Sequence, residues 1–151
     1  MEITPAALID IPELCDLLEL LFTQEAEFKP NQKAQARGLV AIIDGTQVGD
    51  ILVARNPGEI MGMVVLLYTV STALGERVAL LEDMVVSIKS RGMGLGSALL
   101  KAAVKLAKNK GCERITLLTD HDNEQAQRFY QRHGFERSSM VAFRRSLIGE
   151  I

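Results

Sequence analysis

The sequence predicts a mixed α/β fold in which a sheet of about six or seven strands is flanked by about four helices. Three observations predict it. Apolar runs at 50–55, 59–71 and 77–88 are separated by short turns, which makes these strands antiparallel neighbours. A glycine-rich turn, Arg91-Gly-Met-Gly-Leu-Gly96-Ser97, then feeds an amphipathic helix. A further apolar run at 113–119 closes a strand–helix–strand unit, whose two strands should run parallel with a right-handed crossover.

The elements follow in order along the chain. Ile11, Leu14, Cys15, Leu18, Leu21 and Phe22 recur at helical spacing, with Asp10 and Glu13 placed as a capping box. A second helix is expected after Pro30-Asn31, with Ala36, Leu39, Val40 and Ile43 on one face. The linker at 23–29 carries Glu25 and Glu27. Asn56-Pro57-Gly58 is a turn between the first two strands, and the long apolar run at 59–71 suits a central strand. After the glycine turn, Leu95, Ala98, Leu99, Ala102, Ala103 and Leu106 form a buried stripe, while Lys101, Lys105 and Lys108 face water. Gly111 stands where a C′ glycine ends that helix. Asp122 and Gln125 are placed to cap a short helix that stops before Gly134, and strands at 135–137 and 138–147 complete the sheet. No internal repeat or low-complexity tract interrupts the chain, so residues 1–151 are expected to form one domain.

Composition narrows the function classes. A chain of 151 residues can bury roughly 70% of its unfolded surface, so neither disulfides nor metals are needed to hold the core. A net charge of −2 and an isoelectric point near 5.7 argue against a general nucleic-acid or anionic-membrane partner. No apolar run approaches the roughly 20 residues of a bilayer span. The N-terminus lacks the basic region and cleavage site of a signal peptide, so a cytoplasmic location is expected. The only cysteines, Cys15 and Cys112, have neither metal-ligand nor redox-motif spacing and are expected as ordinary thiols.

The turn at 91–97 carries the most chemistry. Glycines let a ligand approach the backbone closely, and unpaired N–H groups at a helix start point at an anion. A plain strand-to-helix connection would also use such a turn. A dinucleotide fingerprint starting at Gly92 needs glycine where Ser97 stands, and a nucleotide-triphosphatase loop needs Gly-Lys-Ser/Thr, which is absent. What survives is Arg91-x-x-Gly94-x-Gly96, followed about one βα unit later by Asn123-Glu-Gln-Ala126-Gln-Arg-Phe129-Tyr130-Gln-Arg-His-Gly134-Phe135. In both motifs, their order and their spacing, the chain resembles the GNAT superfamily of N-acetyltransferases. The resemblance runs from about Glu59 onward, and the N-terminal helix pair falls in that family's usual order. One departure is Ile88, where many members carry a loop-stiffening proline.

The resemblance implies a GNAT-like fold and a set of roles. Backbone N–H groups of Gly92, Met93, Gly94, Leu95, Gly96 and Ser97 would hold the pyrophosphate of coenzyme A, with Arg91 flanking it or serving as a plain surface arginine. Met84, Val85 and Val86 would line the pantetheine arm, which completes the sheet by pairing with free backbone groups. The Met84 N–H would donate to the thioester oxygen, a contact worth about 2.7–4 kcal/mol as negative charge develops there. Tyr130 would protonate the departing thiolate, or else be a core aromatic beside Phe129. Asn123 would bond the pantetheine amides or simply cap its helix, and Ala126 and Phe129 fall on the same cofactor side.

A base is needed because a protonated amine has no lone pair. Glu82 is the candidate, acting through water, and Asp83 would orient the acceptor; a structural ion pair is the alternative for either. Glu25 and Glu27 would attract a cationic amine or remain solvated loop charges. His121 and His133 suit surface or capping roles. The implied function is transfer of an acetyl group from acetyl-CoA to a primary amine of a small molecule or peptide, by direct attack in a ternary complex. The alternative is a non-catalytic acyl-CoA-binding regulatory module. No metal, nucleic acid or membrane is expected, and a homodimer is possible.

Overall fold

A computed structural model of the chain describes residues 1–25, 29–45 and 47–149. Among them five strands, β1 (Glu2–Pro5), β2 (Gly49–Asn56), β3 (Glu59–Ser71), β4 (Glu76–Val86) and β5 (Ile115–Leu117), form one sheet in sequence order. Its first three pairings are antiparallel and β4–β5 is parallel. Four helices accompany the sheet: α1 (Ile11–Gln24), α2 (Gln32–Asp44), α3 (Leu95–Asn109) and α4 (Glu124–Arg132). The expected mixed α/β class is therefore present, with fewer strands than expected.

The sheet is buried on both faces, and its alternation sorts the core in two. Ile51, Val53, Met63, Val65 and Val85 pack under Leu14, Leu17 and Leu18 of α1 and Leu39 of α2. Their neighbours Leu52, Ala54, Val64, Leu66 and Leu81 face the other way, onto Leu95, Leu99, Leu100 and Ala103 of α3. Of the predicted α3 stripe Leu95, Leu99 and Ala103 are buried and Ala98, Ala102 and Leu106 half-buried, while Leu100 and Ala107, outside it, are also buried; Lys101, Lys105 and Lys108 are exposed as expected. Gly111 has φ +83°, the left-handed conformation expected of a C′ residue.

Several local expectations are corrected. β1 is an additional strand, since four residues carry no periodicity of their own; pairing of Glu2 with Arg55 through Pro5 with Leu52 defines it. Asp10 and Glu13 make no capping box. The Asp10 carboxylate accepts from the Ala7 N–H at 2.8 Å and from the Arg55 guanidinium at 2.9 Å, while Glu13 Oε2 accepts from the Ile60 N–H at 3.1 Å. Both acids thus tie α1 to the sheet rather than finishing the helix. The cap of α4 is Asn123, whose Oδ1 accepts from the Ala126 N–H at 3.1 Å, rather than Asp122 with Gln125. The second helix starts after Asn31 as expected, and the Asn31 side chain caps it, accepting from the Ala34 N–H at 3.2 Å.

The largest difference lies at the C-terminus. Neither 135–137 nor 138–147 is a strand, and residues 136–149 are exposed throughout. A strand-like sequence forms a strand only where a partner offers its ladder. Here the chain leaves Phe135, whose N–H donates to the Tyr130 carbonyl at 3.1 Å, and joins no strand of its own sheet. No helix among the described residues is long and apolar enough to cross a membrane.

Candidate active site

The site begins where two parallel strands part. β4 and β5 are paired at Ala79–Ile115, Leu80–Thr116 and Leu81–Leu117. β5 then ends, while β4 continues to Val86. The stretch Glu82–Val86 is therefore bonded to β3 on one side and open on the other.

A β-bulge sits at the start of that stretch. Met63 pairs with Val85 and Val65 with Glu82, so Asp83 and Met84 together oppose Val64. Asp83 takes φ +52°, the one positive φ of a non-glycine residue among those described. Left-handed backbone costs an L-residue about 1–2 kcal/mol, least for Asn and Asp, and such strain collects at functional sites. The bulge interrupts the strand's simple alternation and re-aims the groups around it.

Carboxylates converge here from three elements. Burial first, then the charges of Glu82 and Glu25, push the Asp83 carboxyl up to about 7. Glu25, at the end of α1, is raised by burial and by Asp120 and Glu82, against a smaller opposing pull from Arg144. Glu82 itself is exposed. Asp120 follows β5, on the carboxyl side of the parallel pair, the place where ligands gather in parallel sheets. That position was the available signal for Asp120, and sequence reasoning missed it. Glu27 lies outside the described residues.

Tyr130 faces the same cluster. Burial, with Glu25 adding to it, raises its phenol to about 12. Its ring meets Phe129 edge-on at 5.2 Å and Phe135 at 5.8 Å. Phe129 in turn stands beside Gly96, where an added Cβ would lie 3.5 Å from its ring and 3.9 Å from Met84 Cε. The glycine turn, the bulge and α4 thus meet at one point.

Past β4 the chain makes a single 3-10 turn and enters the glycine segment. Gly92 and Gly94 have φ +80° and +78°, and a Cβ added at either would meet nothing within 4 Å. Gly94 is the N-cap of α3, and no side chain caps it. The open approach, the positive φ values and the uncapped helix start suit a phosphate group. Nearby, the buried Ser87 Oγ has no hydrogen-bond partner among the described residues. Arg91 folds back, its Nε donating to the Val86 carbonyl at 3.2 Å. Met93 is exposed and Leu95 is buried.

Two expected contacts are modified. Asn123 Oδ1 is engaged in capping, and the Ala126 N–H is its donor, so only the Asn123 amide NH₂ is left to face a ligand. The Ser97 hydroxyl lies 2.9 Å from His133 Nε2, joining the start of α3 to the end of α4. His133 therefore has a partner that spacing did not suggest, and its ring meets that of Phe129 at a tilt of 59°, centroids 5.0 Å apart. Cys15 is buried in the α1 core, and Cys112 lies before β5, at the end away from the parting strands. Among the described residues no group of three or more His, Cys, Asp or Glu could hold a metal ion.

Comparison with known proteins points the same way. The profile of the acetyltransferase (GNAT) family matches residues 11–135. An uncharacterised N-acetyltransferase of Bacillus subtilis (strain 168), YhfO, is 33% identical over 119 residues, covering 77% of this chain and 79% of that protein. A solved putative acetyltransferase from Agrobacterium tumefaciens superposes with a TM-score of 0.83 at 22% identity, over 97% of this chain and all of that one, a likeness of fold. A solved protein of Bacillus halodurans described as a transcriptional regulator superposes with a TM-score of 0.81 at 29% identity, covering 97% and 99% of the two chains.

Proposed function

The chain belongs to the acetyltransferase (GNAT) family, and on that premise we propose that it moves an acetyl group from acetyl-CoA to a primary amine. The acceptor is a small molecule or peptide amine that attacks directly in a ternary complex. The observation that carries the reading is the parting of β4 from β5 at a bulge ringed by Asp83, Glu82, Glu25 and Asp120. One opening admits a phosphate-bearing donor from the glycine turn, and the acid cluster at its far end attracts a cationic acceptor.

The roles follow from the surroundings. The turn at 92–97 and the start of α3 hold the diphosphate, each favourable contact worth about 0.3–1 kcal/mol at an exposed site. Glu82–Val86 offer open backbone groups to the extended arm of the donor, and the Met84 N–H supports the carbonyl oxygen as charge builds on it. Asp83 takes the proton from the ammonium: a carboxyl held near 7 is poised between proton donor and acceptor at neutral pH. Burial holds it there, with repulsion from Glu82 and Glu25 adding to it, and Glu82 is the second candidate, acting through water.

Tyr130 serves the leaving thiolate. A phenol near 12 keeps its proton at neutral pH, so it always donates. Complete transfer to a thiolate whose acid has pKa about 8.5 is uphill by about 5 kcal/mol, so Tyr130 stabilises the thiolate chiefly by hydrogen bonding. Direct attack is favoured because neither cysteine is near the parting strands to form an acyl intermediate.

The test is release of coenzyme A thiol from acetyl-CoA across amino acids, polyamines, amino sugars, aminoglycosides and peptide N-termini, with initial rates at varied concentrations of both substrates. Intersecting double-reciprocal lines support the ternary complex, and parallel lines refute it. Tight coenzyme A binding with no thiol release from any amine would favour the regulatory module, a reading that the regulator among the solved relatives keeps in play.

A further inference from the structure

An amine attacks a carbonyl only after it has lost its charge. Asp83, at the bulge, is placed to take the proton, and the lone pair then closes the C–N bond as the C–S bond opens. Of the two protons that the nitrogen sheds, one ends on the thiol and one reaches solvent through Asp83. The reacting nitrogen is therefore neutral when it attacks, and it leaves as an uncharged amide. Three further carboxylates gather around it all the same. Glu82 stands just before the bulge, and Glu25 lies at the end of α1. Asp120 follows β5 in a loop held by Gln127, whose Nε2 donates to the Asp120 and His121 carbonyls at 3.2 and 3.0 Å. From elsewhere in the chain Arg144 acts on Glu25, the smallest of the influences there. One guanidinium against three carboxylates leaves negative charge that a reacting amine, once neutral, does not answer.

An apolar strip accompanies these charges. Ala79 and Leu81 face α3, so Leu80 and Glu82 point to the α1 side of the sheet, with Thr116 beside Leu80 across the parallel pair. Leu80 and Leu118 are 40% and 64% exposed, although α1 and α2 cover that same face of β2 and β3. Two uncovered leucines, one leading to Glu82 and the other to Asp120, fit a short alkyl chain with a charge at its tip. Resting on the acyl-transfer reading above, we propose that the acceptor is an aliphatic diamine or polyamine. One amine reacts at Asp83, while a second ammonium, still charged, seats among Glu25, Glu82 and Asp120 and the methylenes lie on Leu80 and Leu118. A monoamine fills the reacting end alone. An amino acid or a phosphorylated amino sugar brings an anion towards the carboxylates, where like charges repel.

The experiment measures thiol release by the full chain from acetyl-CoA with diamines and with alkyl monoamines of matched length. Chains of about three to eight carbons are compared, since the attraction depends on the separation of the charges. Diamines should exceed monoamines about 10–100-fold in kcat/KM, the range of one charge-assisted hydrogen bond, with most of the difference in KM and an optimum at one length. Glu25→Gln should pull that ratio towards one. Raising salt from about 0.05 to 0.5 M should do the same, a check that needs no variant to fold. Calorimetry of a diamine against the complex with coenzyme A answers apart from turnover, and saturable binding weakened by Glu25→Gln supports the second seat. Equal kcat/KM for the two series, or a preference indifferent to both Glu25→Gln and salt, would overturn the diamine while leaving acyl transfer standing. So would a basic peptide that turns over about tenfold faster than every diamine. Thiol release from no amine at all would sink the transfer reading instead, and diamine binding in the same calorimetry would then uphold or overturn the second seat by itself.

Discussion

Replacing Asp83 by asparagine removes a charge while keeping the shape and the tolerance of left-handed backbone that φ +52° demands. The effect has two independent readouts. The carboxyl is raised from 3.8 to about 7, so below about pH 4 both folded and unfolded chains hold the proton and the wild type bears no penalty. Between about pH 4 and 7 the unfolded chain ionises first, and wild-type stability falls as pH rises through the folded value. Above it the loss is complete. About three units at 1.36 kcal/mol each set a ceiling of about 4 kcal/mol, which relaxation and water entry reduce to about 1–3 kcal/mol. Asp83→Asn should therefore melt like the wild type at pH 4 and about 2–12 °C higher at pH 8, at about 2–4 °C per kcal/mol for a domain of this size. Glu25 titrates in the same direction, so Glu25→Gln is the matching control. In the steady state, kcat should fall about 10²–10⁴-fold, the range for a lost general base, and the rising limb of kcat/KM near pH 7 should vanish. A melting difference that does not grow from pH 4 to pH 8 would refute the raised carboxyl. A variant that retains that limb and turns over within a few fold of the wild type would refute Asp83 as the base.

Three further outcomes are expected. Tyr130→Phe should lower kcat about 100-fold with acetyl-CoA affinity nearly unchanged, as measured by calorimetry and initial rates; undiminished turnover would remove its role at the thiolate. Gly94→Glu places bulk and negative charge on a residue at φ +78°, and it should abolish acetyl-CoA binding in calorimetry while the protein still melts cooperatively. Arg55→Ala strands the buried Asp10 carboxylate, now held at 2.9 Å, and should cost about 1–3 kcal/mol at pH 7. Arg55 holds the Asp10 carboxyl below its usual value of 3.8, so this loss should shrink as pH falls through that range. An equal cost in acid and at neutrality would contradict the ion pair.

Much of the scaffold was legible because its determinants are local. β3 spans Glu59–Ser71 as its apolar run indicated, α3 starts at Leu95 after the glycine turn, and Asn31 and Gly111 cap as their types dictate. Of the candidate site, motif spacing singled out Gly94, Gly96 and Tyr130, but no local pattern said which carboxylates meet. Asp120 meets Glu25 across well over half the length of the chain, a proximity that no local pattern records. The Asp83 bulge arises from the register of β3 against β4, and a shift of one residue there changes what each side chain faces.

By itself, then, the sequence determined the helices, the antiparallel strands β2, β3 and β4 and the glycine turn, because periodicity and turn chemistry act within a few residues. Only the tertiary structure decided the bulge, the meeting of Glu25, Glu82, Asp83 and Asp120, and the fate of the tail. A strand becomes a strand when another offers it hydrogen bonds, and a carboxyl acquires an unusual affinity for its proton when distant parts of the chain bring like charges and apolar cover to it.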